Sequence, residues 1–407
     1  MKGLFNRGLG LVMGLMLFLG YLPRTIAQEI YTPYIFKEST PPSKLSPVPE
    51  DFSPVYISHF GRHGSRYHLS KEASEAYDLM KKAVSGRVLS RLGSDLYQDV
   101  TFLHSIHDGK AGTLSALGGH EHRGIGRRMG ERFPQVFASG GKVLARSSSI
   151  GRCKTSMQNL TSSLASLYPD LEIKKSSNIF LYRLFSRGAS RTGAQKKAFA
   201  AARDSLLQQH FSPDRLVGAI YQSDETLPDK VPALSLSRSL YAYSAIAGCL
   251  EMDLDYLTKY FTPDELEALS ADSDFYYSKK LFPQTLKSAQ PAAGLLKDII
   301  SRADAVLSGK DTQVADLRFG HDSGFVPLCS LMGLEGFQPW EGETISVGEA
   351  VPMGANIQLI FYKNSKNEVI TKILHNEKEI LVTNLKCFSN FTYKWEVLKE
   401  FWLSRIL

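Results

Sequence analysis

The sequence predicts an α/β sandwich with a mostly parallel sheet and an α-helical insertion, and three observations carry that expectation. Short apolar runs at 55–60 and 143–145 each lead through a loop into a segment with helical spacing, the alternation of strand and helix that builds a parallel sheet. Strand signals vanish from about residue 192 to 308, where helix signals dominate, and they return from Val314 onward. The 407 residues are enough for one large core carrying such an insertion.

Residues 1–27 read as a cleavable export signal and not as part of the fold. Lys2 and Arg7 are basic, Leu9 to Leu22 form an apolar run too short for a comfortable membrane span, and Thr25, Ile26 and Ala27 offer a small-residue cleavage site. No cysteine follows the run, which argues against a lipid-modified N-terminus. After a proline-rich, extended stretch from Pro33 to Pro54, Val55 to Phe60 reads as a buried strand that delivers Gly61, Arg62, His63 and Gly64 to a loop. Residues 71–84 have helical composition, the stretch to about 112 mixes helix and turn, and Gly119 to Arg132 reads as a helix closed by Pro134. Val143 to Ala145 form the second strand, which runs into Arg146, Ser147 and Ser148.

Inside the helical block, Thr262, Pro263 and Glu265 combine an N-cap, a proline at the first helical position and an acid three after the cap. Leu295, Leu296, Ile299, Ile300, Ala303, Val306 and Leu307 share one helix face, and Gly309 offers a stop. Beyond it, strands are expected at 314–319, 357–361, 369–374 and 379–382, the second and third joined as a hairpin by the polar loop Lys363 to Asn367.

Composition narrows the function classes. Hydrophobic residues at 43% and charged residues at 22% exclude a disordered or fibrous chain. Removing Lys2, Arg7 and Arg24 with the export signal leaves 45 of the 48 basic residues against 41 acidic ones, a balance of +4. That mild charge, without a long basic run, fits an anionic substrate in a local basic pocket better than a nucleic-acid surface. Cys153, Cys249, Cys329 and Cys387 lack metal-ligand spacing, so zinc is not implied. They either form up to two disulfides, with three connectivities, or remain buried thiols.

The motif with most chemical content is Arg62-His63-Gly64-Ser65-Arg66, directly after the first strand. Two guanidinium groups in one turn can converge on a phosphate through charge-assisted bonds, and Gly64 allows close backbone approach or a positive φ. A neutral imidazole between them can attack phosphorus in line and form a phosphohistidine. Far downstream, Gly320-His321-Asp322-Ser323 follows another expected strand and precedes an apolar helix from Phe325 to Met332. His59, His104, His107, His120 and His122 lack a carboxylate pattern that would make them metal ligands.

On these residues the chain resembles the histidine phosphatase superfamily, in its acid phosphatase branch, whose signature is R-H-G-x-R-x-P. The first five positions match, and His68 stands where proline is usual. His321 and Asp322 fit the family's distal histidine followed by an acid, and Arg146-Ser147-Ser148 resembles the segment that supplies a further phosphate-binding arginine. Arg152 is left between that role and a surface ion pair. Softer similarities at Leu114, Gly118, Glu121 to Arg123, Arg127 to Met129, Leu374 to Glu377 and Tyr393 to Glu396 point to the multiple inositol polyphosphate phosphatase group and the histidine acid phytases. That group usually carries His-Ala-Glu at the second motif, so His321-Asp322-Ser323 is closer to the aspartate donors of phytase-type and glucose-1-phosphatase-type relatives.

The resemblance implies a phosphoglycerate mutase-like three-layer sandwich, with 28–72, 112–191 and 309–407 as the core and 73–111 and 192–308 as a mainly helical cap. It implies that His63 is the nucleophile and Asp322 the proton donor, and that Arg62, Arg66, Arg146 and His321 bind the phosphate, with no metal or other cofactor. The implied substrate is a small-molecule phosphomonoester, inositol polyphosphates foremost. Basic residues Arg183, Arg187, Arg191, Lys196 and Lys197 near the junction agree with a polyanion. Nucleic acid is not an expected partner, nor is stable membrane association once the signal is removed, and the enzyme is expected to be secreted or periplasmic. A sugar-phosphate or broad-specificity acid phosphatase and a non-catalytic phosphate-ligand binder remain the alternatives.

Overall fold

The computed structural model describes residues 29–188, 192–253, 255–338 and 346–407. The expected export signal and Arg191 lie outside the described residues. Strand β1 (Ser53–Arg62) is followed by helices α1 (Ser70–Val84), α2 (Arg91–His107), α3 (Ala116–Arg132) and α4 (Pro134–Phe137). Next come β2 (Gly141–Ser148), α5 (Gly151–Leu167), β3 (Leu171–Asn178) and α6 (Ile179–Phe185). The helical block then holds α7 (Gly193–His210), α8 (Asp214–Ala219), α9 (Ala233–Ala245), α10 (Asp255–Thr258), α11 (Pro263–Leu281), α12 (Leu286–Ala289) and α13 (Ala293–Leu307). The chain closes with β4 (Gln313–Gly320), α14 (Asp322–Met332), α15 (Val347–Ala350), β5 (Asn356–Lys363), β6 (Val369–His375), β7 (Lys378–Glu379), β8 (Thr392–Lys394) and α16 (Trp395–Ser404).

One sheet runs β3-β2-β4-β1-β5-β6-β7, and β8 pairs with β6. Its β3, β2, β4 and β1 are parallel, while β5 onward pair antiparallel, with β5 and β6 forming the expected hairpin. β1 and β4 lie at the centre, and their side chains alternate between two apolar clusters. Tyr56 and Phe60 point to one cluster with Phe185, Leu296, Ile299 and Phe325, while Ile57 and Leu317 point to the other with Ile125, Met129, Leu160 and Leu164. Helices cover both faces, the three-layer arrangement that βαβ alternation requires. α1 packs on α9 and α2 on α10 of the helical block, within which α7 packs on α11.

Local signals explain the boundaries. Thr262 caps α11 through Glu265 N, with Pro263 at the first position and Glu265 completing the box. Strand assignments differ from expectation at β3, at β7 and at β8, the last an unexpected three-residue strand paired with β6. β3 carries Glu172, Lys174 and Lys175 and lacks a continuous apolar run, because it is the exposed edge of the sheet. The strand expected at 379–382 shrinks to the two residues of β7, and Val382 instead bridges to Leu334.

The segment before β1 is pinned by buried charge. Arg128 of α3 donates from Nε and Nη2 to the two carboxylate oxygens of Glu377 at 2.8 Å each, and the Tyr34 hydroxyl donates to the same group at 3.0 Å. Both partners of the ion pair are almost fully buried. Replacing Glu377 with alanine leaves the guanidinium uncompensated, so Glu377→Ala should lower unfolding free energy by about 3–5 kcal/mol in urea denaturation. A loss below about 1 kcal/mol would mean water reaches Arg128 and the pair is no clamp.

Candidate active site

The site is built at the carboxyl ends of the central parallel strands, where open α/β sheets place their ligands. His63 follows β1, His321 follows β4, Ser148 ends β2, and Arg152 lies in the first turn of α5. The loop after β1 is held from every side: His63 N donates to Gly320 O at 3.1 Å, Gly354 N to His63 O at 2.9 Å, and Gly64 N to Ser156 Oγ at 3.2 Å. Buried Glu121 of α3 accepts from Ser65 N at 2.7 Å, Ser65 Oγ at 2.6 Å and Tyr34 N at 2.8 Å. A Cβ on Gly64 would lie 2.7 Å from Gly118 O, so the glycine serves close approach to α3.

His63 is buried, and its Nδ1 lies 2.9 Å from Gly64 O. A carbonyl only accepts, so Nδ1 carries the proton and Nε2 keeps its lone pair. Burial and the charges of Arg152, Arg62, His321 and Arg66 hold the imidazole well below its usual pKa, and therefore neutral. The His321 ring stands edge-on to it, with centroids 5.6 Å apart. His321 accepts from Arg152 Nη2 at Nδ1, 3.4 Å away, which leaves Nε2–H to donate to Ser148 Oγ at 3.0 Å. Burial and Arg152 lower its pKa to about 4.

Arg62 is fully buried. It donates from Nη1 to Val351 O at 2.6 Å and from Nη2 to Ile30 O at 2.9 Å, with Asp322 Oδ2 3.3 Å from Nη2. Asp322 opens α14, and its Oδ1 accepts from Ser323 N at 2.6 Å. Burial pushes its pKa up, but the charges of Arg62, His321 and Lys280 outweigh that and hold it below the usual carboxylate value. Arg66 bonds Tyr67 O and Glu72, and its charge acts on both His63 and Asp322. Five of the six expected residues, Arg62, His63, Arg66, His321 and Asp322, are thus brought together.

Arg146 is placed elsewhere. Its Nη1 and Nη2 bond both oxygens of Asp298 at 3.0 and 2.7 Å, and Nη2 lies 3.5 Å from Asp316, in a buried network with Arg318 under the sheet. Arg152 is the arginine beside His321. The distinction lies in position: Arg146 sits within β2, two residues short of its end, whereas Arg152 occupies the helix turn that follows the strand. Ser156 carried no signal in the sequence, and Glu121 and Ser148 stood only within stretches of family resemblance with no role assigned, because their role depends on which groups they meet.

Among the described residues, no group of three or more His, Cys, Asp or Glu could hold a metal. His104 stacks on Tyr77 at 4.3 Å, and His59 and His122 pack against Phe319. The four cysteines are unpaired thiols, three of them buried. A neutral imidazole with a free lone pair, guanidinium groups for the oxygens of an anion, and an adjacent carboxyl are the groups that phosphoryl transfer to a histidine uses.

Several solved structures share the fold. The multiple inositol polyphosphate phosphatase of Bifidobacterium longum, in complex with inositol hexasulfate, is similar at 19% identity and a TM-score of 0.74, over 91% of this chain and 96% of that one. The phytase from D. castellii is similar at 14% identity and 0.67, over 94% and 85%. Hafnia alvei phytase in complex with myo-inositol hexakis sulphate follows at 12% and 0.55, over 88% and 98%. These likenesses show the fold, and no curated protein sequence matches the chain. The family profile of the histidine phosphatase superfamily, branch 2, matches residues 60–376, and the chain belongs to that family of histidine acid phosphatases, which hydrolyse phosphoric monoesters.

Proposed function

We propose that this protein is an exported phosphatase that hydrolyses inositol polyphosphates, phytate among them, through a phosphohistidine on His63. The observation that carries the reading is the free Nε2 lone pair of a buried, neutral His63 surrounded by Arg62, Arg66, Arg152 and His321. Nε2 attacks phosphorus in line, the arginines neutralise the non-bridging oxygens, and the leaving alkoxide takes a proton from Asp322. Asp322, then a carboxylate, removes a proton from the water that cleaves the phosphohistidine, which releases phosphate and restores both groups. In the free site Asp322 is held ionised by its cationic neighbours. A bound phosphate dianion compensates those charges and raises the carboxyl pKa, so acid conditions favour the donor form.

Three features support a polyanionic substrate. Lys280 of α11 acts on Asp322 from the helical side and lines a cavity of about 440 Å³ with Lys196, Arg203 and Tyr276. Lys196 and Lys197 of α7, Arg183 of α6 and Arg187 just after α6 are exposed. Two of the structural neighbours are complexes with inositol hexasulfates. On this reading 73–111 and 192–308 form a cap that grips the substrate away from the reacting phosphate, over a core of 28–72, 112–191 and 309–407. Export rests on the basic, apolar and small-residue pattern of 1–27. No described helix is long and apolar enough to cross a membrane.

Asp322→Asn tests the mechanism, because the amide keeps the shape and can neither donate this proton nor act as a base. Phytate hydrolysis should fall by about a hundredfold to ten-thousandfold. With p-nitrophenyl phosphate the leaving group departs unaided, so a nitrophenol burst and an acid-labile phosphoenzyme should appear, and both should be absent in His63→Ala. Equal slowing of the two substrates with no trapped intermediate would remove Asp322 from the donor role.

The two candidate arginines should separate cleanly. Arg152→Ala should cut turnover about a hundredfold or more, as loss of a preorganised charge donor does. Arg146→Ala should lower the melting temperature first, since it strips a buried ion pair; the reverse pattern would return Arg146 to the phosphate.

For the substrate, kcat/KM for phytate should exceed that for glucose 1-phosphate, and Lys280→Ala should raise KM for phytate while leaving KM for p-nitrophenyl phosphate nearly unchanged. Comparable constants for phytate and glucose 1-phosphate, insensitive to Lys280, would favour a sugar phosphatase.

A further inference from the structure

We propose that Glu72 is a positioning residue that fixes Arg66 for phosphate binding, with His68 holding Glu72 in turn. The inference rests on the reading of Arg66 as a phosphate ligand and adds a residue outside both motifs. Arg66 spends one end of its guanidinium on the protein: Nη1 donates to Tyr67 O at 2.9 Å and to Glu72 Oε2 at 3.2 Å. Its Nε is buried and has no hydrogen-bond partner among the described residues. The Tyr31 ring lies against the guanidinium, 5.4 Å from ring centroid to Cζ. Anchored at one end and covered on one face, the group keeps a donor edge for a ligand.

Glu72 is well placed to be that anchor. It stands in the first turn of α1, and the same Oε2 accepts from Leu69 N at 3.0 Å. His68 Nδ1 lies 3.4 Å away. His68 occupies the position where the family signature has proline, yet it is fully buried, packed against Tyr31, His107 and Tyr243. A proline there would stiffen the loop exit through its ring. In this chain a hydrogen bond from His68 to the carboxylate ties the loop exit to the residue that holds Arg66. Burial raises the Glu72 pKa, but His68 and Arg66 outweigh it, so the anchor stays ionised in acid.

The geometry calls for a double-mutant cycle on the full chain. Glu72→Ala should lower kcat for p-nitrophenyl phosphate about tenfold or more and weaken inhibition by inorganic phosphate, since an arginine free to rotate is no longer preorganised. Added to Arg66→Ala, the same change should cost less than about twofold, because Glu72 acts through a side chain already removed. Glu72→Gln keeps an oxygen that accepts from Leu69 N, His68 and Arg66 alike; it should hold the melting temperature near wild type and restore phosphate inhibition towards the wild-type value. Losses that multiply in the double mutant, or wild-type phosphate inhibition in folded Glu72→Ala, would overturn the positioning role while leaving Arg66 as ligand. Wild-type turnover in Arg66→Ala alone would overturn it by removing the ligand itself.

Discussion

Three guanidinium groups crowd around a neutral imidazole at the ends of β1, β4 and β2, and holding like charges that close is the constraint from which the rest of the site follows. Each arginine is tied down by acceptors, distant in the chain for Arg62 and Arg152 and local for Arg66. Arg62 uses the carbonyls of Val351 and Ile30, Arg66 uses Tyr67 and Glu72, and Arg152 reaches His321 and Gly112 O. Carbonyl tethers orient a cation without neutralising it, which leaves the charge available to an anionic ligand. The same field keeps His63 unprotonated, so the groups that would bind phosphate also maintain the lone pair that would attack it.

A second cluster of cations, lower in the sheet, shows the opposite solution. Arg146 and Arg318 share Asp298 of α13, and Asp316 lies beside them with the Tyr56 hydroxyl bonded to it at 2.9 Å. There the carboxylates pair with the guanidinium groups, and the network ties α13 to the sheet. The contrast between tethering by carbonyls and pairing with carboxylates separates a poised arginine from a structural one. Arg62 and Arg66 stand between the two cases, since each is tethered by carbonyls and also meets one carboxylate, Asp322 or Glu72.

The segment before β1 matters more than its proline-rich, irregular sequence implies. Ile30 supplies a carbonyl to Arg62, Tyr31 covers Arg66, and Tyr34 joins Glu121 to the Glu377 ion pair. One strap therefore touches two of the site's arginines and the carboxylate that shapes the loop. Its anchorage by Arg128 and Glu377 links the stability of the core to the geometry of the site.

What the sequence determined by itself was local. The order of strands and helices, the α11 cap at Thr262 and the two loops carrying Arg62 to Arg66 and His321 with Asp322 were all legible, because each rests on spacing or on a short contiguous run. The edge strand β3 was not legible, since a strand exposed at the sheet edge has no apolar alternation to read. Only tertiary structure decided that Arg152 and not Arg146 stands beside His321, that Glu121 and Ser156 brace the loop, and that Glu72 meets Arg66. These facts turn on where a strand ends in space and which backbone lies across from a side chain. The composition of a segment does not encode either, because most of the groups that meet are separated by tens to hundreds of residues, and even Glu72, six residues from Arg66, meets it only when the loop turns into α1.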